Sequence, residues 1–91
     1  MRTLSSADRR RLRGRAHHLK PVVQIGKQGL SAGLLGQIER ALVDHELIKI
    51  RLLTDRKHKA ELLATIEKQL NTGCVGTIGH VAILYRERPE D

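Results

Sequence analysis

The sequence predicts an α+β fold in which helices pack on one mixed four-stranded sheet. Its 91 residues suffice for a single domain with one hydrophobic core. The apolar residues recur either with the period of a helix or with the patterns of strands, in the order helix and then β-α-β-α-β-β. We therefore expect one two-layer domain over residues 1–91, with an N-terminal helix at about 5–19 and a core at about 21–86.

The first predicted helix begins after a serine cap and has Asp8 in its first turn. Leu12, Ala16 and Leu19 recur at i, i+4 and i+7, so they form its apolar face. The helix is expected to end near Leu19, because Pro21 disfavours helical dihedral angles in the residue before it. Most of the remaining surface of this helix is basic.

The stretch PVVQI at 21–25 predicts a short buried strand, with proline at its first position, where a missing N–H is tolerated. A loop at 26–30 follows this strand. Ser31 is a suitable cap for a second helix. The apolar stripe of that helix consists of Leu34, Leu35, Ile38 and Leu42.

The remaining elements lie in the second half of the chain. LIKIRLL at 47–53 alternates apolar and basic residues, which is typical of a half-buried strand. RKHKAELLATIEKQLN at 56–71 predicts a third helix with stop signals at its end. CVGTI and VAILYR flank the dipeptide GH at 79–80, which indicates an antiparallel hairpin. The two strand-helix-strand steps make parallel crossovers, so the sheet is mixed. The order of its strands does not follow from the pattern.

The net charge of +7 is concentrated in the first third of the chain. Residues 1–30 contain eight basic residues and one acidic residue, whereas residues 31–91 contain nine of each and sum to zero. A solubilising charge would be spread more evenly. This concentration indicates a polyanionic partner for the N-terminal third.

The stretch GKQG at 26–29 is a candidate phosphate-binding loop. Its glycines allow close approach to the backbone, and it leads into the start of a helix, where unpaired amides and the positive end of the helix dipole converge. Lys27 adds a mobile cation. The GXXG loop of KH domains clamps a nucleic-acid backbone in this way. A lone G-x-x-G is most often an ordinary turn, so the phosphate-binding interpretation depends on the basic helix that precedes the same strand. The spacing does not fit a nucleotide-hydrolysing P-loop.

We therefore expect the loop and the basic helix to hold neighbouring phosphates of a nucleic acid. The candidate RNA-binding residues are Gly26, Lys27, Gln28, Gly29, Arg10, Arg11, Arg13, Arg15, His17, His18 and Lys20. Tyr85 is the only aromatic residue and is expected at the edge of the core, so a base-stacking platform is excluded. Binding through phosphates should weaken steeply with salt. The run at 56–59 is either a second RNA contact or a solvated helix start.

The sequence contains no pattern typical of a catalytic or metal site, so we expect no enzyme activity, no cofactor and no bound metal. His45, His58 and His80 are expected to be structural or to face solvent. Cys74 is the only cysteine and is expected to be a small core residue, which favours a reducing, cytoplasmic setting. We expect neither a signal peptide nor a membrane-spanning stretch.

The stretch LRGRAHHLKPVVQIGKQGLSAG resembles the signature of the CRM domain family, in its stand-alone bacterial, YhbY-like form. ALVDHELIKIRLL and IGHVAILYR also fit, so the resemblance covers residues 12–86. It implies a fold similar to the C-terminal domain of translation initiation factor three. It also implies RNA binding through the basic helix and the GxxG loop, and association with ribosomal RNA or pre-ribosomal particles of the large subunit. The matching positions are Leu12, Gly14, Ala16, His17, Leu19, Lys20, Pro21, Gly26, Gly29 and Leu30.

Three other functions remain open. The loop could serve a small enzyme that binds a phosphorylated metabolite, although no catalytic constellation accompanies it. The basic helix could lie on anionic lipid, but its apolar stripe is short and has no Trp or Phe to insert, so no membrane partner is expected. A general RNA chaperone would share the same phosphate contacts. We expect the protein to act as a monomer.

Overall fold

The computed structural model describes residues 4–88, which form three helices and four strands. The elements occur in the predicted order and confirm the α+β class. The first helix ends at Ala16 rather than near Leu19, because the chain turns there and the Leu19 N–H donates to the Ala16 carbonyl. The bounds are α1 Ser6–Ala16, β1 Pro21–Ile25, α2 Ala32–His45, β2 Leu47–Leu52, α3 Arg56–Leu70, β3 Gly73–Ile78 and β4 Val81–Tyr85.

The four strands form one mixed sheet in the order β1-β2-β4-β3. β1 runs parallel to β2, and β4 runs antiparallel to both β2 and β3. The last strand of the chain is therefore central, whereas β1 and β3 lie at the two edges. Because β1 and β2 run in the same direction, the loop after β1 and the loop after β2 lie at the same end of the sheet.

Helices cover both faces of this sheet, so the domain has three layers rather than the expected two. Along β4, Ala82 and Leu84 belong to the core beneath α2 and α3, whereas Ile83 and Tyr85 belong to a second core beneath α1. β4 is a continuous apolar run, which is typical of a strand that is buried on both faces. The main core contains Val23, Ile25, Ile38, Leu42, Ile48, Ile50, Leu52, Ile66, Ala82 and Leu84, and the second contains Leu12, Ala16, Leu47, Val75, Ile83 and Tyr85.

Side-chain caps define where each helix begins. Ser5 and Asp8 form a capping box on α1, with hydrogen bonds of 3.0 and 3.2 Å. Ser31 caps α2 by accepting from the Leu34 N–H at 3.1 Å, as predicted. Asp55 caps α3 by accepting from the His58 N–H at 2.8 Å. Each such cap contributes about 1 kcal/mol to helix stability.

The C-terminal end of β4 is attached to both helices of the main layer. Arg86 makes a bidentate ion pair with Glu39 of α2, at 2.6 and 2.7 Å, and donates to the Leu70 carbonyl of α3 at 2.8 Å. The hydrogen bond from Arg86 lowers the pKa of the Glu39 carboxyl below its ordinary value. Bidentate pairing fixes the angle between the two groups, so Arg86 sets how β4 meets α2 and α3.

Two single residues behave as the sequence predicted. Tyr85 is buried in the core beneath α1. Cys74 is half-buried against the main core, and burial raises the pKa of its thiol. Within residues 4–88, no helix combines the length and the apolar composition needed to cross a bilayer. Over the same residues, no three His, Cys, Asp or Glu side chains are grouped as metal ligands.

Candidate nucleic-acid interface

The GKQG loop joins the C-terminal end of β1 to the cap of α2. The Gly29 N–H donates to the Gly26 carbonyl at 3.0 Å and closes the turn. Gly29 has a φ of +75°, a left-handed conformation that favours glycine. Gly26 has no such dihedral angle, and a Cβ placed on it would meet no atom within 4 Å. The fold therefore explains the glycine at 29 but not the glycine at 26.

The amide groups of this region are only partly available. The Gly29 amide is used in the turn and the Leu34 amide in the cap of α2, so these two donors are not the bare amides that the sequence predicted. No acceptor within residues 4–88 pairs with the N–H groups of Lys27 and Gln28. Both residues are exposed. The outer part of the loop thus retains main-chain donors beside a lysine side chain.

The start of α3 lies beside the loop. Thr54, His58 and Thr65 line one depression together with Gly26 and Lys27. The depression lies where β1 and β2 both end, so two helix N-termini, those of α2 and α3, point toward this end of the sheet. Helix N-termini favour anions through their unpaired N–H groups and the helix dipole.

His58 is paired with the Asp55 cap. Its Nδ1 lies 2.8 Å from one carboxylate oxygen of Asp55, and both side chains are exposed. The hydrogen bond to Asp55 raises the pKa of the His58 imidazole above its ordinary value, and the hydrogen bonds from the His58 backbone and ring lower the pKa of Asp55. The pair therefore favours a protonated His58 next to the loop.

The first turn of α3 has an unusual charge. It contains no acidic residue, whereas residues 56–59 are Arg, Lys, His and Lys. Cations are unfavourable at the positive end of a helix dipole. Helix α1 has the opposite arrangement, with Asp8 in its first turn and Arg13 and Arg15 in its last.

The basic residues of α1 differ in how they are held. Arg13 donates to the Val75 carbonyl at 3.1 Å, and its side chain packs so closely on Gly76 that a Cβ there would lie 2.7 Å from the Arg13 Cδ. Arg11 lies 3.5 Å from Asp8. Arg10 and Arg15 are exposed, and neither has an acidic partner within residues 4–88.

The loop and α1 do not converge on one spot. α1 lies on the opposite face of the sheet from α2 and α3, and its C-terminal end leads through Lys20 into the start of β1, whereas the loop follows the end of β1. Five residues of strand separate the two groups by roughly 15 Å. Because a strand lies between them, the two groups can contact only different phosphates of a ligand, and their joint binding of one nucleic acid stays a prediction.

A comparison with protein families matches residues 4–86 to the CRS1/YhbY (CRM) domain. The chain belongs to this family. The match confirms the resemblance seen in residues 12–86 and extends it through the start of α1.

Several relatives of this CRM domain are known. A protein of Haemophilus influenzae named "RNA-binding protein" is 44% identical over 91 residues, which cover 99% of this chain and 92% of that one. The "Probable RNA-binding protein YqeI" of Bacillus subtilis is 36% identical over 89 residues, covering 97% and 93% of the two chains. The solution structure of SAV1595 from Staphylococcus aureus superposes with a TM-score of 0.83 at 34% identity, covering 98% of this chain and 94% of that one.

Sequence reasoning missed part of the surroundings of the loop in this CRM domain. His58 faces solvent as expected, and it also lines the depression beside Lys27. The signal for this position is the basic run at 56–59, which the sequence marks as either a second RNA contact or a solvated helix start. His80 has a structural contact in the hairpin, where its Nδ1 lies 3.0 Å from the Leu52 carbonyl.

Proposed function

We propose that this protein is a non-catalytic RNA-binding protein that holds the phosphate backbone at the GKQG loop. The observation that carries the proposal is Gly26. No positive φ and no neighbouring atom requires glycine there, which supports a role for the bare backbone in contact with a ligand. The exposed Lys27 makes that contact suitable for a phosphate.

Two further observations support an RNA ligand. The first turn of α3, in which residues 56–59 are all basic types, reaches the loop through His58, whose pairing with Asp55 favours its protonated form. The relatives of this CRM domain are named RNA-binding or probable RNA-binding proteins. Tyr85 is the only Phe, Tyr or Trp in the sequence and is buried, so no such side chain is available as a base-stacking platform, and recognition rests mainly on phosphates and shape.

The RNA that we propose is ribosomal, and the role is in assembly of the large subunit. The family resemblance supports this finer proposal. Crosslinking the protein to RNA in cells, followed by sequencing of the attached RNA, tests it. Recovery of large-subunit precursor RNA is the expected result, whereas scattered messenger RNA would indicate a general RNA chaperone instead.

The substitution Gly26→Asp tests the loop. A carboxylate on the bare backbone should repel phosphate and lower RNA affinity about tenfold or more, measured by gel shift with an rRNA fragment. The fold should persist, because the position has space and an ordinary dihedral angle. Gly29→Asp is a poorer test, since its left-handed conformation adds strain to any change in binding.

Gln69→Glu is the matched control for this substitution. It adds the same single negative charge at an exposed position near the C-terminal end of α3, away from the loop. We expect RNA affinity within about twofold of the unmodified protein. A folded Gly26→Asp variant that binds as well as this control would remove the loop from the interface.

A further inference from the structure

The edge strand β1 connects the loop to α1 through three adjoining depressions. The first, at the start of β1, is lined by Arg15, Lys20 and Val22. The second is lined by Val22, Gln24 and Arg51. The third, at the loop, is lined by Gln24, Lys27 and Gln28, among others. Because Val22 borders the first two and Gln24 the last two, they form one continuous track along β1.

The charge of this track is of one sign. Its cations are Arg15, Lys20, Arg51 and Lys27, and none of the described residues that line the three depressions is Asp or Glu. The depressions on the α3 side of the loop differ, since Glu61 lines one and Asp55 the other. A polyanion that leaves the loop along β1 therefore meets depressions whose charged Lys and Arg lining residues have no acidic neighbours among the lining residues, unlike the two depressions toward α3.

Arg51 is the central cation of the track. It lies opposite Gln24 of β1 and Val81 of β4, in register across the sheet. Its neighbours Ile50 and Leu52 point into the main core, and side chains alternate between the two faces of a strand. The Arg51 side chain therefore lies on the opposite face of the sheet, which α1 covers in part. α1 packs on Leu47 and other residues of that face but leaves Arg51 exposed.

We propose that one RNA strand lies along β1, with phosphates at the loop and at the C-terminal end of α1, and that Arg51 holds a phosphate between them. This proposal rests on the proposed function and adds the path of the ligand. The loop and the C-terminal end of α1 lie roughly 15 Å apart. Consecutive nucleotides of a single RNA strand can span this distance, so both groups can contact the same molecule.

The substitution Arg51→Ala tests the path. We expect affinity for a labelled single-stranded rRNA fragment, measured by fluorescence anisotropy, to fall about fivefold at 0.1 M salt, with a decrease of about 0.7 in the salt slope. Arg40→Ala is the matched control, because Arg40 is exposed on α2 across the sheet from α1. Affinity and slope should stay unchanged in the control.

Gln24→Glu gives a second, independent test of the path. The new carboxylate would stand beside Arg51 across the strands and neutralise it without removing any apolar contact. RNA affinity should again fall several-fold, with an unchanged melting temperature.

The outcomes separate this proposal from the proposed function. If Gly26→Asp abolishes binding while both track variants bind as the unmodified protein does, the RNA does not follow β1 and the path is overturned. If the unmodified protein binds no RNA, the proposed function itself fails. Pairing of the β1 edge with a second copy, seen as a doubled mass in light scattering that RNA does not reduce, would also overturn the path.

Discussion

The two ends of β1 offer an anionic ligand different chemical groups. At the loop end, the groups are main-chain N–H donors of Lys27 and Gln28 with one lysine side chain, held by a closed turn. At the α1 end, they are long side chains such as Arg15 and Lys20, without acidic partners in the described part of the chain. The comparison shows that charge and backbone geometry are supplied by separate elements of this domain.

This difference predicts different responses to mutation. Main-chain donors have fixed positions, so the loop should decide whether the RNA is seated correctly. Flexible arginines act mainly through charge, so α1 should decide how strongly salt weakens the complex. Changes in α1, in the turn of the loop and at His58 test this division of roles.

The largest effect is expected from removing two arginines of α1. The double variant Arg10→Ala, Arg15→Ala should lower the salt slope of RNA binding by about 1.4 to 1.8, and the affinity about 25-fold at 0.1 M salt. Titrations at several salt concentrations measure both quantities. Arg13→Ala should instead lower stability by about 1 kcal/mol, because its guanidinium is already hydrogen-bonded to the Val75 carbonyl. Equal salt slopes for the double variant and for Arg13→Ala would contradict the distinction between free and packed arginines.

An intermediate effect is expected at the turn of the loop. Gly29→Ala forces a side chain into a left-handed conformation and should cost about 1 kcal/mol of stability, measured by denaturant unfolding. Gly26→Ala should cost much less, since nothing crowds that position. Equal losses of stability would show that both glycines serve the fold and would weaken the functional interpretation of Gly26.

The smallest effect is expected from the pH dependence of His58. Its pKa is raised above the ordinary value near 6.5, so its pairing with Asp55 is complete at lower pH and is lost as the pH rises through the raised pKa. The pKa of Asp55 is lowered instead. The stabilisation that its ionised carboxylate provides is therefore lost only when the pH falls through that lowered pKa. RNA affinity should rise slightly as the pH falls toward mildly acidic values, where His58 is protonated beside the loop.

The variant His58→Gln serves as the control for this pH effect. Its RNA affinity should change less across the same pH interval, at constant salt, than that of the unmodified protein. A pH dependence of undiminished size in the variant would assign the effect to another group.

Much of the local structure could be predicted from the sequence. Ser31 caps α2 as the pattern of hydroxyl and apolar stripe indicated, and the Gly79–His80 turn joins two antiparallel strands. These features depend on neighbours within a few residues in the chain, where dihedral preferences and side-chain caps act. The end of α1 differed because a turn at His17 is stabilised by Lys49, whose Nζ donates to the His17 carbonyl from β2.

The neighbours of the loop could not be predicted in the same way. His58 reaches the depression beside Gly26 only because β2 pairs with β1 in parallel, which brings the starts of α2 and α3 to one end of the sheet. The role of Arg13 was equally hidden, since its acceptor at Val75 lies 62 residues further along the chain. Pairings over such separations depend on packing across the whole sheet.

The sequence by itself determined the class and order of the elements, the concentration of charge in residues 1–30 and the membership of the CRM family, because periodicity, composition and motif spacing are properties of the chain alone. The folded domain was needed to learn that α1 covers the opposite face and that β1 separates the basic helix from the loop. A strand buried on both faces needs a helix on each side, and the order of the strands then fixes which charged groups share one surface.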